Sequence, residues 1–341
     1  MKINLKSNVF LIITMSKVKS IQISKLEEEK KIGFSILKFS IKGENINHII
    51  VNSIKRIIQS DIPIYSYNNF DITENSSVFN NNYIKHHLQN IPVWGIENTI
   101  EEFIKKEEND AEVFSEMTGL MNDDIDLNVE KNVDTSALNK LTMYIDNKND
   151  TKDIITVTTD DAKFYYKEGL IKSPYYNPIQ IVKLQPSQSI KFSAKAELGT
   201  EELSGIYSAT SICFFKENKE NDYEFTLESR GQITEKRILK LALKLLNKKL
   251  HKFNKNLPKN KGMEGVIVTE DEDHTLGNII SYGMQIHPSV QFCGYNTPHP
   301  LKKEIHFHYK LSSGNINNII KEVVSYYENI FDNISEKIDK L

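Results

Sequence analysis

At 341 residues, 26% of them charged and 39% hydrophobic, the chain has room for two or three domains and the makeup of a globular protein. A net charge of −3 gives no overall attraction to nucleic acid, so any such contact has to be local. The two cysteines, Cys213 and Cys293, are too few for a disulfide framework or a cysteine-rich zinc site and point to an intracellular, reducing compartment.

From the N-terminus, Val9–Ile13 follows Lys2 and Lys6. This apolar run is short for a signal peptide, and Thr14-Met15-Ser16-Lys17 supplies no small-residue cleavage site. Elsewhere no apolar stretch approaches bilayer-spanning length, so a soluble protein without a membrane partner is expected.

Two segments share one plan. In the first, Leu37, Phe39 and Ile41 alternate with Lys38, Ser40 and Lys42, the pattern of a strand with one buried face. A helix follows with Ile46, Ile49, Ile50, Ile54, Ile57 and Ile58 on one stripe and stops at Pro63. In the second, Val266 and Val268 open a strand that ends in acidic residues. A helix then places Leu276, Ile279, Ile280 and Met284 on one side and ends before Pro288. Strands are expected around Val290–Phe292 and over Ile305–Leu311, then a long helix whose stripe runs from Ile316 through Ile320, Val323 and Tyr327 to Ile338. That stripe is too apolar to face water, and a domain under about 80 residues buries only a modest fraction of its surface. The surplus has to pack on the N-terminal half.

Between these segments, a strand over Tyr223–Glu228 leads through Gly231 into a helix from Glu235 to about His251. A polar spacer at 253–262 reads as a linker. The middle is different: thirteen acidic residues fall between Glu97 and Asp134 against three lysines, which predicts a loop or short helices there. Strands return at Leu141–Ile145, Ile154–Thr158 and Ile179–Leu184.

Chemistry-bearing clusters each carry two readings. Glu270-Asp271-Glu272-Asp273 suits a hard cation. It equally suits the N-terminus of the amphipathic helix that follows, with Thr275 as cap, and that helix favours the second reading. His299, His306 and His308 lack a fourth ligand for tetrahedral metal and read as a solvated strand face. The basic run from Lys236 to Lys261 reads as the wet face of a helix and its linker rather than a phosphate-binding surface. Gly277 inside a helix implies a close helix–helix or helix–backbone approach. No histidine stands beside a nucleophilic serine or cysteine in an elbow, and no Gly-rich phosphate loop occurs, so an independent hydrolase or transferase finds no support.

The stretch Glu272-Asp273-His274-Thr275-Leu276-Gly277-Asn278, continuing to Phe292-Cys293-Gly294-Tyr295 and Pro298-His299-Pro300, resembles the L-type assembly subunit of archaeal and eukaryotic RNA polymerases, equivalent to the eleventh-largest subunit of RNA polymerase II. The helix Asn47–Ser60 with Ile62-Pro63-Ile64, then Glu74–Val78, Tyr83–Val93, Ile181–Gln188, Ala194–Gly199 and Phe225–Gly231, resembles in order the D-type or third-largest subunit. The chain thus resembles a fusion of the two, bacterial-alpha-like halves, a layout known among large DNA viruses.

The resemblance implies an α+β fold: alpha-like dimerisation folds of antiparallel sheet plus helices form an intramolecular pseudo-heterodimer, with an inserted mainly-β domain. The boundaries it suggests are an N-terminal extension at 1–32 and a discontinuous D-type domain at 33–60 plus 190–252. They continue with an insertion at 61–189 carrying an acidic loop at 95–139, the linker, and an L-type domain at 263–341. The implied role is a non-catalytic scaffold for DNA-templated transcription, with the two largest polymerase subunits and a small N/K-like or tenth-subunit-like protein as partners. No direct DNA contact follows from it; a nucleic-acid-binding transcription accessory is the alternative. The site of action would be a nucleus, a cytoplasmic viral factory or a virion. D-type subunits often hold zinc or an iron–sulfur centre, but Gly95–Asn139 has no cysteine, so no cofactor is expected. Pairing of the halves is assigned to Ile50, Ile54, Ile57, Leu276, Ile280, Ile320, Val323 and Tyr327. Docking of the large subunits is assigned by resemblance to Asn75, Ser76, His86, Ile91 and Pro92, and to His274, Thr275, Gly277, Asn278, Gly294, Tyr295, Pro298, His299 and Pro300.

Overall fold

The computed structural model describes residues 20–31, 34–94, 141–166, 169–257, 262–299 and 302–341. The expectations for 95–139, for most of the N-terminal extension, for 258–261 of the linker and for Pro300 lie outside these residues.

In chain order the elements are β1 (Gln22–Lys31), β2 (Phe34–Lys42), α1 (His48–Ser60), β3 (Ile64–Asn75), α2 (Asn81–Gln89), β4 (Thr142–Lys148), β5 (Ile155–Thr158), β6 (Lys163–Tyr166) and β7 (Gly169–Ile171). They continue as β8 (Gln180–Leu184), β9 (Ser189–Gly199), β10 (Thr210–Lys219), β11 (Asp222–Ser229), α3 (Glu235–Lys255), β12 (Glu264–Glu270), α4 (His274–Ile286), β13 (Val290–Asn296), β14 (Glu304–Leu311) and α5 (Ile316–Ile338). The fold is α+β with antiparallel pairing throughout.

The chain divides into two compact units. Unit 1 holds residues up to Ile62, Thr210–Ser229 and Thr234–Leu341. It contains a four-stranded sheet in the order β1-β2-β11-β10 and a three-stranded sheet in the order β12-β14-β13. The order β2-β11-β10 repeats as β12-β14-β13, and each sheet has a short helix after its first shared strand and a long helix after its last. In β2 and β11 the inward residues are Leu37, Phe39, Ile41, Tyr223, Phe225 and Leu227. Phe39 and Phe225 stack with centroids 5.3 Å apart. The C-terminal sheet turns Ile267, Ile305, Phe307 and Tyr309 inward in the same way.

Two strands of unit 1 do not announce themselves by alternation. In β1, Lys25, Glu27 and Glu28 lie exposed on an edge strand with a bulge between Lys25 and Glu27. Charge and irregularity are what protect an open sheet edge from further pairing. In β10, Cys213 points inward, but Ile212 and Phe214 are exposed on the opposite face, so the segment reads as one continuous apolar run.

Unit 2 spans Pro63–Ala209 with Arg230–Ile233. It has a five-stranded sheet, β3-β9-β4-β6-β7, and the pair β5-β8, with the short α2 as the one α-helix among its described residues. The long strand β9 pairs with β3 on one side and β4 on the other, which draws 190–209 into this unit. Its core is aromatic: Tyr67 and Tyr175 hydroxyls lie 3.2 Å apart, and Tyr175 donates to the Pro92 carbonyl at 3.0 Å. Trp94, the sole tryptophan, packs on Tyr175 and donates its indole N–H to the Gly231 carbonyl at 2.7 Å. Burial pushes both tyrosine pKa values up, so these phenols stay neutral hydrogen-bonding groups.

Candidate assembly interface

The four described helices of unit 1 pack on one another: α1 on α3 and α4, α3 on α5, and α4 on α5. Helices α1 and α3 come from the N-terminal half, α4 and α5 from the C-terminal half, so the contacts of α1 with α4 and of α3 with α5 form a seam between halves. The 3.6-residue stripes explain it. Ile50, Ile54 and Ile57 of α1, Leu276 and Ile280 of α4, and Ile320, Val323 and Tyr327 of α5 are all at most 2% exposed. From α3 the seam receives Ile238, Leu239, Leu246 and Leu250, equally buried. Each such side chain taken out of water stabilises the fold by about 1.5–3 kcal/mol.

The helix starts are defined by polar caps. Asn47 accepts from the Ile50 N–H at 3.0 Å to start α1. At α4 the cap is Asp273, which accepts from the Thr275 N–H at 2.8 Å, and not Thr275 itself. Thr275 is instead buried in the first turn, where its hydroxyl serves the other half of the unit: Arg56 Nε of α1 donates to Thr275 Oγ1 at 2.9 Å. The same guanidinium donates through Nη2 to Asp273 Oδ2 at 2.7 Å. Burial would raise the Asp273 carboxyl, but the Arg56 and Thr275 hydrogen bonds outweigh it and hold the pKa below its ordinary value.

A second polar cluster lies beside it. Lys249 Nζ of α3 stands 3.1 Å from Asp61 and 3.4 Å from Glu272. The Glu272 side chain is only 4% exposed, and burial raises its pKa despite the nearby Lys249 and Lys252. Burial works against the Lys249 charge as well, yet the carboxylates of Glu272 and Asp61 prevail and its pKa is raised. Within the acidic stretch at 270–273, Asp273 thus caps the helix, and Glu272 and Asp273 face cations of the other half; among the described residues no cluster suited to a metal ion occurs.

Along α3 and α5, Asn247 Nδ2 donates to Asp332 at 2.9 Å and His251 Nδ1 sits 3.3 Å from Glu328. Asn45 donates to the Tyr326 hydroxyl at 3.1 Å, Lys240 pairs with Asp339, and the rings of Phe253 and Phe307 lie 5.4 Å apart. Periodicity could not identify these partners, because it shows which face a residue occupies and not what lies opposite.

Two glycines of α4 have different neighbours. A Cβ at Gly283 would stand 2.5 Å from Val323 and 2.8 Å from Tyr327 of α5, a true helix–helix approach. At Gly277, expected to mark a close helix–helix or helix–backbone approach, the close neighbour is instead a side chain, the Tyr295 ring of β13, 2.6 Å from the built Cβ.

The residues assigned to docking fall into separate groups. In unit 2, Asn75 ends β3, accepting from the Ser77 N–H at 3.0 Å and donating to Asn81 at 2.7 Å. Ser76 donates its backbone N–H to Ser189 at 3.0 Å. His86 is exposed on α2 and Pro92 is half-buried, while Ile91 is buried and offers no side-chain surface. Val78, Phe79 and Tyr83, absent from the expected set, are exposed beside them, with Phe79 and Tyr83 stacked at 4.4 Å. In unit 1, His274, Asn278, Pro298 and His299 are exposed and Gly294 and Tyr295 half-buried, whereas Thr275 and Gly277 face inward. His274 Nδ1 lies 3.2 Å from the Tyr295 hydroxyl. The outer face of the C-terminal sheet adds exposed Val266, Val268 and Phe292 around His306 and His308. His306 bonds Glu304, and His308 lies 3.0 Å from Asn296.

Cys213 and Cys293 are free thiols, each pushed up to about 12 by burial, which removes them as nucleophiles at neutral pH. Among the described residues no helix is long and apolar enough to cross a membrane.

The RNA polymerase Rpb3/Rpb11 dimerisation domain matches this chain twice, over residues 38–250 and over residues 264–337. A protein of Acanthamoeba polyphaga mimivirus described as a DNA-directed RNA polymerase subunit is 26% identical over 332 residues, covering 88% of this chain and 91% of that protein. A Plasmodium falciparum protein described as RNA polymerase II subunit RPB11 is 36% identical over 89 residues, which is 24% of this chain and 68% of that protein. Caenorhabditis elegans RPAC2, described as a subunit of RNA polymerases I and III, is 35% identical over 75 residues, 22% of this chain and 52% of that protein.

Proposed function

The chain belongs to the RNA polymerase family that carries the Rpb3/Rpb11 dimerisation domain, and from that premise we propose that it is the platform on which the two large catalytic subunits of a DNA-directed RNA polymerase assemble. It is an assembly subunit of a multisubunit RNA polymerase, with both dimerisation halves in one polypeptide. The observation that carries the proposal is the seam of unit 1, where α1 and α3 of one match close on α4 and α5 of the other. Joining the halves replaces a bimolecular encounter with an intramolecular one, at an effective concentration in roughly the millimolar range for a short flexible linker.

In this reading the chain has no activity of its own and needs no cofactor. Polymerisation chemistry belongs to the large subunits, and this chain supplies surfaces. Two exposed apolar patches suit docking: Val78, Phe79 and Tyr83 in unit 2, and Val266, Val268 and Phe292 in unit 1, each rimmed by polar groups. His86, His274, Asn278, Pro298 and His299 lie exposed in the same two units and join them as contact candidates. A small tenth-subunit-like protein is a further partner. The complex acts in the nucleus or in a cytoplasmic viral factory.

The test is purification of the tagged chain from cells that make the whole polymerase, with mass spectrometry of its companions. The two large subunits are expected in stoichiometric amounts, and substitution of Phe79 or Phe292 by Asp should deplete them while leaving the chain folded. Recovery of the chain alone, or unchanged recovery with both variants, would refute the docking assignment.

A further inference from the structure

The two halves of unit 1 can be placed in register by their helix N-caps, Asn47 on Asp273 and Thr234 on Asn315. Every buried position of α1 then falls on a buried position of α4. Every buried position of α3 falls on one of α5 except Leu241, whose counterpart Glu322 is exposed. The apolar seam therefore repeats, and apolar burial alone would let either half pair with a second copy of itself.

The charges do not repeat. Arg56 has Tyr282 as its counterpart, and Lys249 has Ile330. Glu272 and Asp273, which those cations hold, have Ile46 and Asn47 as theirs. One further pair of contacts is related by the same register: Asn247 with Asp332 is the counterpart of Glu328 with His251. We propose that Arg56, Lys249 and His251 on one half, with Glu272, Asp273, Glu328 and Asp332 on the other, are the specificity determinants that make the pairing heterotypic and exclude a second copy of either half.

This rests on the platform reading and deepens it. Two C-terminal halves brought together would set Glu328 of one copy against Asp332 of the other in both of these neighbouring contacts. They would also face the buried Glu272 with Ile330, leaving a carboxylate out of water with no cation. Two N-terminal halves would face Lys249 with Ile46, leaving it Asp61 of its own half but not Glu272, and would face Arg56 with Asn47, so Arg56 would lose its counter-ion. Like charges and unpaired buried charges are how one partner is rejected when the apolar contacts are equivalent.

A protease site placed within residues 258–261 of the full chain lets the halves be separated after folding. The cut protein is taken through a cycle of mild denaturant, and its species are counted by native mass spectrometry. The expected result is the one-to-one complex of the two fragments. In the Glu272→Gln/Glu328→Gln/Asp332→Asn variant the homodimer of the C-terminal fragment should rise by about tenfold or more, the ratio that a difference of roughly 1.4 kcal/mol sets. Homodimers in the cut parent protein, or a variant that sorts as cleanly as the parent, would overturn the proposal. A second measurement uses the uncut chain: Arg56→Asp and Asp273→Arg should each lower the melting temperature, and the exchanged pair should recover the part due to the ion pair, while the part due to the lost α4 cap remains. No recovery also counts against the assignment. Neither measurement includes the large subunits, so failed co-purification would sink the platform reading and leave this result standing.

Discussion

The two units bury their cores by different means. Unit 1 closes aliphatic stripes of helices over two sheets and sets its polar contacts at the starts of helices and along α3 and α5. Unit 2 relies on sheet pairing and a hydrogen-bonded aromatic cluster of Tyr67, Tyr175 and Trp94. The first kind of core rests mainly on apolar contact; the second depends on specific donors and acceptors. They should therefore fail under different substitutions.

The largest expected effect is a charge in the unit 1 seam. Ile320→Asp or Val323→Asp buries an unpaired carboxylate at a fully enclosed position, a loss of roughly 3–5 kcal/mol. Chemical denaturation should show this, and co-purification of the large subunits should be lost; a normal denaturation midpoint would contradict the burial of the stripe. Next comes overpacking. Gly283→Val forces side chains against Val323 and Tyr327, for about 1–3 kcal/mol. Gly277→Ala meets the half-buried Tyr295 ring, which can swing outward, so thermal denaturation should rank it as milder.

In unit 2 the sharper test is a single oxygen. Tyr175→Phe removes the donor to the Pro92 carbonyl and the partner of the fully buried Tyr67 hydroxyl, for about 1–3 kcal/mol. Trp94 fluorescence follows this unit directly, and an unchanged transition would show that the aromatic cluster needs no hydrogen bonds.

The smallest effect is a pair of opposed pH slopes at adjacent residues. Asp273 has its folded pKa below the ordinary 3.8, so its contribution is present above that value and lost as pH falls through the folded pKa. Glu272 has its folded pKa above the ordinary 4.5, so its contribution is present below that value and lost as pH rises through the folded pKa. Relative to Asp273→Asn the parent protein should gain stability with rising pH; relative to Glu272→Gln it should lose it. Melting temperatures across the acid range, with slopes of the same sign, would refute this picture.

Much of unit 1 was legible in the amino-acid order because helical periodicity states which face is dry. The stripe from Ile316 to Ile338 coincides with α5, and Leu37, Phe39 and Ile41 mark β2. Strands β1 and β10 escaped because each is an edge, one covered with charge and one apolar on both faces. The seam's polar contacts escaped for a different reason. Lys249 looks like part of a solvated lysine run, yet it stands between Asp61 at the end of α1 and Glu272 of the opposing half. Alignment of the N-caps would have exposed it, since a lysine stands where the other half has isoleucine. In unit 2, the placement of β9 depends on pairing with distant strands, which local pattern does not encode.

The unbroken backbone from α3 of one half to β12 of the other has a consequence for supply inside the cell. Translation delivers both members of the pair in equal number, so no orphan member waits with its isoleucine face open to chaperones, proteases or aggregation. What separate genes must balance by regulation, a peptide bond here balances by arithmetic.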